Sequence, residues 1–137
     1  MDAAPPPVIT QEIRIVDEQG HSRLLLSAKG GIPRIQLLRS DGEPGGEVSL
    51  DAGGRPAVKL TNPDLKGPTA SLEVDDKGAH VKFDRPGGAS SYLFLNNAGE
   101  SGVVLLDPSG IRRLNVLVGS DGASRIERFG PDGKPEP

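Results

Sequence analysis

Apolar residues recur along this chain in pairs two positions apart, and each pair follows a glycine. Leu24 and Leu26 stand four and six places after Gly20, Ile35 and Leu37 after Gly31, and Val58 and Leu60 after Gly54. The spacing repeats with Val103 and Leu105 after Gly99, and with Leu114 and Val116 after Gly110. Two is the period of a β-strand, whose alternate side chains share a face. No stretch shows the i, i+3, i+4, i+7 spacing of an amphipathic helix, and prolines interrupt most windows, so no long helix is expected.

The glycines keep the same beat. Taking one per turn, at Gly20, Gly31, Gly42, Gly53, Gly67, Gly78, Gly88, Gly99, Gly110, Gly122 and Gly133, the intervals are 11, 11, 11, 14, 11, 10, 11, 11, 12 and 11. This is an internal repeat of strand plus turn. Two-residue hairpin turns ending in glycine, with positive φ at both central residues, place apolar positions opposite apolar positions under an 11-residue period. They pair Ile15 with Leu24, Leu26 with Ile35, and Val74 with Val81. Short polar residues precede the glycines, among them Asp17, Asp51, Asp75, Asn96 and Asp107, and such side chains bond their own backbone in turns. Calcium binding is the rival reading, but it needs several carboxylates on one ion, and successive turns of a meander lie at opposite ends of the sheet.

The expected fold is therefore all-β: an antiparallel up-and-down meander of about ten to twelve short strands joined by glycine-containing hairpin turns. Its edges require closure as a barrel, packing as a sandwich, or completion by oligomerisation. A two-sided β-solenoid is the alternative. Residues 1–10 read as a flexible proline-rich lead-in, 11–129 as a single β-repeat domain, and 130–137 as a flexible tail. The beat slips at Thr61–Pro68, where a longer connection could divide the meander into two sheets.

Composition narrows the functional classes. The chain has 137 residues, no cysteine and no tryptophan, and a net charge of −3. Disulfides and cysteine metal sites are excluded, there is no basic footprint for nucleic acid, and no apolar run reaches the ~18 residues of a membrane helix. No membrane insertion is expected. His21 and His80 read as solvated strand residues, with no G-x-S-x-G elbow and no H-E-x-x-H spacing. We expect no catalytic residues, no metal and no cofactor. The four aromatics, Phe83, Tyr92, Phe94 and Phe129, offer little platform for carbohydrate. Arg23, Arg34, Arg113 and Arg125 recur three places after a turn glycine, where they can pair with acidic turn residues or form a ligand-binding ladder. The chain opens with no basic and apolar signal pattern, which fits a cytoplasmic protein, or a secreted or periplasmic one whose signal has been removed.

The D-x-x-G-x-x-R-x-x-L grain is clearest at Asp17–Leu26 and Asp107–Leu114. It resembles bacterial proteins of uncharacterised role built from short Asp/Gly-turn β-repeats, over most of 13–129. The grain departs at Ala57 and Gly67. The resemblance implies bacterial origin and an all-β repeat, and it carries no activity or site residues.

Late strands are apolar at successive positions: Tyr92–Leu95, Val103–Leu106 and Val116–Val118. Leu93, Leu95, Val104, Leu106 and Leu117 are expected to form one association patch. This reads as a non-catalytic structural or protein-interaction module, forming a homo-oligomer or binding another protein. The alternative is a closed barrel holding a small apolar ligand, lined by Leu24, Ile35, Val58, Phe83 and Val103.

Overall fold

The computed structural model describes all 137 residues. Twelve strands follow one another: β1 (Glu12–Val16), β2 (Ser22–Ser27), β3 (Arg34–Leu38), β4 (Pro44–Leu50), β5 (Pro56–Leu60), β6 (Thr69–Val74), β7 (Gly78–Asp84), β8 (Ser90–Asn96), β9 (Ser101–Leu106), β10 (Arg112–Val118), β11 (Ser124–Phe129) and β12 (Pro135–Glu136). They lie in chain order in a single antiparallel sheet. The meander is as expected. Of the ways expected to hide its edges, two are absent: β1 and β12 are free, so the chain forms neither a barrel nor a sandwich by itself, and the strands do not stack as a solenoid. The segment 130–137 turns back and adds β12 to β11, carrying the sheet past residue 129.

Most turns share one geometry, and it differs from the two-residue turn expected. At Asp17–His21 the N–H of Gly20 donates to the carbonyl of Asp17, and the N–H of Asp17 to the carbonyl of His21. The same pair of bonds recurs about Gly42, Gly54, Gly88, Gly99, Gly110, Gly122 and Gly133. This is a three-residue hairpin loop, closed by a glycine in the left-handed region. Gly20 has φ 84°, and no residue other than glycine has positive φ. One left-handed residue thus replaces the two that the shorter turn requires.

The longer loop shifts each register by one residue, and β-bulges restore it where needed. Register shifts fall in the β1–β2, β3–β4 and β9–β10 pairs, leaving Arg23, Gly45 and Arg113 as the extra residues. The hairpins about Gly54 and Gly122, each twelve residues after the preceding turn glycine, carry no bulge. A bulge absorbs one residue, so both of these arrangements keep the apolar positions on one face, as does the Gly99 hairpin, eleven residues after Gly88 and without a bulge. The pairs Ile15–Leu24 and Leu26–Ile35 are present. Val74 instead pairs with Ala79, and Val81 with Leu72, because Gly78 belongs to β7 and the turn closes between Asp75 and Gly78. The Thr61–Pro68 connection does not split the sheet, since β5 pairs with β6 throughout. Asn62 folds that loop, donating from Nδ2 to the carbonyl of Pro68 at 3.0 Å and accepting at Oδ1 from the N–H of Asp64 at 2.9 Å.

Candidate functional site

The register aligns one aliphatic residue from each of eleven strands: Ile13, Leu26, Ile35, Val48, Val58, Leu72, Val81, Leu93, Val103, Val116 and Ile126. Flanking rows add Ile15, Leu24, Leu37, Leu60 and Phe83 on one side, and Leu50, Val74, Leu95 and Val118 on the other. This face is open to solvent. Leu72 is 50% exposed, Leu93 56% and Ile126 69%.

The opposite face is polar and better buried. Val104 is 2% exposed and Leu117 5%, whereas Val103, one residue from Val104 on the apolar face, is 38% exposed. The aliphatic stripe is thus the uncovered side of the molecule.

The predicted association patch is divided by this arrangement. Leu93 and Leu95 lie on the apolar face, while Val104, Leu106 and Leu117 point to the polar side. Alternation along the strand forbids their meeting. The five residues proposed to line a barrel, Leu24, Ile35, Val58, Phe83 and Val103, do share a face, but it is the open one.

On the polar side a hollow of about 650 Å³ lies over β7–β11. Tyr92, Phe94 and Phe129 contribute three of the four aromatic rings, with the Tyr92 and Phe94 centroids 6.1 Å apart. Arg112 donates from Nη2 to the Tyr92 hydroxyl at 2.9 Å. Arg125 reaches Glu100 at 3.2 Å and Glu127 at 3.3 Å, and the hydrogen bond to Glu100 pushes the pKa of the Arg125 guanidinium further up. Asn115, 3% exposed, lies beneath them. Its Nδ2 faces Glu127 Oε1 at 3.5 Å, and its Oδ1 has no partner. Turning the amide over would set oxygen against carboxylate, so the orphan is the acceptor. A buried acceptor left unpaired costs about 1–3 kcal/mol.

His80 lies at the margin of the hollow, with Nε2 2.9 Å from Glu73 Oε2. His21 is remote, 3.5 Å from Asp17 and exposed. The turn carboxylates point into their own loops: Asp107 Oδ1 accepts from the N–H groups of Ser109 and Ile111, and Asp51 Oδ1 from those of Gly53 and Arg55. Of the four spaced arginines, Arg23 and Arg113 pair with the aspartate of their own turn, Arg125 enters the hollow, and Arg34 Nε has no partner. They form no common ladder. Sequence reading missed Asn115, Arg125 and Glu127 as a group, because only the register of β10 with β11 brings them together. No protein-family model and no curated protein matches the chain.

Proposed function

We propose that the protein is a non-catalytic structural module that self-associates by packing its apolar face against that of a second copy. The open aliphatic ladder carries this reading. Eleven strands at about 4.8 Å spacing give a stripe about 50 Å long, and three rows two residues apart make it about 14 Å wide. The resulting area of about 700 Å² is larger than most apolar patches on monomers and close to the ~800 Å² that each partner gives to a stable interface. Two twisted sheets pack face to face at about 10 Å, so a second copy makes the sandwich that one chain lacks.

A lipid surface fits less well. The longest strands have seven residues, whereas a membrane-crossing strand takes about 9–11. No helix is long and apolar enough to cross a membrane. The late strands supply Leu93, Leu95, Val103, Leu105, Val116 and Val118 to this interface, which extends beyond them to the early strands. The resemblance to Asp/Gly-turn repeat proteins supports a bacterial source.

Light scattering behind size exclusion tests the proposal. The expected mass is at least twice the chain's 14.3 kDa. The double substitution Leu72→Glu with Leu93→Glu should return it to the single-chain value while the strand signal in circular dichroism persists. A wild-type monomer overturns self-association, as does an unchanged mass in the double variant.

A further inference from the structure

We infer that the hollow over β7–β11 is a second binding site, for a neutral polyhydroxylated ligand of sugar size. The inference does not rest on self-association, because the hollow lies on the opposite side of the sheet and both faces can be occupied together. Its volume of about 650 Å³ is that of small-molecule sites. Three observations point to the ligand's chemistry.

The first is aromatic surface. Tyr92, Phe94 and Phe129 line the hollow, and ring faces accommodate the C–H face of a pyranose while excluding water from it. The register achieves this by setting Tyr92 beside Val104 and Phe94 beside Gly102. The second is paired charge. Arg125 is held between Glu100 and Glu127. Two carboxylates flank that guanidinium, and the rest of the lining mixes Lys82 and Arg112 with Asp75, so neither an anion nor a cation meets charges of one sign. A hydroxyl donates to a carboxylate and accepts from a guanidinium, so it fits both without disturbing the pairs. The third is Asn115, whose buried Oδ1 lacks a donor. Under 1 Å² of that oxygen is open, so a ligand hydroxyl reaches it once the Asn115 amide shifts toward the hollow, whereas an apolar molecule leaves the acceptor unpaired and strips water from the charged rim.

Tyr92 is the only tyrosine and the chain has no tryptophan, so tyrosine emission reports on this hollow alone. The intact protein is titrated with glucose, N-acetylglucosamine, maltose and cellobiose, with glucose 6-phosphate and an anilinonaphthalene sulfonate dye as comparators. The backbone amide shifts of Asn115 and Glu127 are followed in parallel by NMR, so that binding without an emission change is still seen. We expect saturation by at least one neutral sugar at about millimolar concentration or below. Glu127→Ala and Arg125→Ala should each weaken it about tenfold or more, and Glu18→Ala, in the β1–β2 turn, should leave it unchanged. The site is overturned if no neutral sugar saturates either signal, if only the phosphate or the dye does, or if both hollow variants bind as wild type.

Discussion

Arg113 and Asp107 are joined across their own hairpin: Arg113 Nη1 lies 3.3 Å from Asp107 Oδ2, while Asp107 Oδ1 holds the turn's N–H groups. Arg113 also donates from Nε to the carbonyl of Phe129 at 2.7 Å, just before the next turn at the same end of the sheet. Arg23 repeats the arrangement, with Asp17 at 3.6 Å and the carbonyl of Leu38 at 3.1 Å. Both arginines are the extra residue of a bulge. The D-x-x-G-x-x-R grain is therefore a structural unit in which the aspartate shapes the turn and the arginine pins the bulge to the next strand.

Arg113→Ala removes that pin. We expect a loss of about 1 kcal/mol in urea unfolding, a charge-assisted hydrogen bond discounted for its partial exposure. Arg113→Lys should recover little, because one ammonium cannot reproduce a fork that bonds a carboxylate and a carbonyl at once.

Acid should weaken the fold through the turn aspartates. Backbone N–H donors hold the carboxyls of Asp51, Asp75 and Asp107 below their ordinary pKa of 3.8. A carboxylate depressed in the folded state contributes stability that is present above its unfolded pKa and lost as pH falls through the folded value. The urea midpoint is thus expected to be level near about pH 6 and to drop below about pH 4. Replacing all three residues with asparagine should lessen this dependence while keeping the turns, since Asn96 already accepts from the N–H groups of Ala98 and Glu100 in the same way.

Neighbouring valines on β9 should respond differently. Val104→Ala, on the buried side, is expected to cost roughly 2 kcal/mol in monomeric protein. Val103→Ala should cost well under half as much there, and should act instead on the mass of the assembly. Equal losses in the monomer would contradict the sidedness of the sheet.

Gly102 sits where Phe94 and Leu117 close over β9. A Cβ there would lie 2.6 Å from the carbonyl oxygen of Val116 and 2.5 Å from Leu117 Cδ2. Gly102→Ala should therefore destabilise by about 1–3 kcal/mol through overpacking, with thermal melting as the readout. Because the shift of Leu117 deforms the hollow, sugar binding should weaken in the same variant.

Much of this fold is legible in the residues themselves. Leu26 and Ile35 announce their pairing through the glycine between them and their parity. Val74 misleads, because Gly78 resembles a turn glycine but extends a strand. Turn type was out of reach, as the polar residues before each glycine suit both the two-residue and the three-residue loop. Periodicity told which side chains share a face and was silent on what covers it, so Leu93 and Val104 were grouped although they point apart. The hollow was hidden for another reason. Tyr92, Asn115 and Glu127 are distant in the chain, and only the three successive registers of β8–β9, β9–β10 and β10–β11 bring them together.

Each strand pairs only with those before and after it in the chain, which has a consequence for how such a molecule can grow. Duplicating one strand-and-turn segment adds a rung to the sheet without asking any earlier residue to change its partner. The aliphatic stripe lengthens by about 5 Å at each step, provided that the register of the copy returns an apolar residue to the same face. Length in this architecture is a variable that evolution can tune in increments of one hairpin arm.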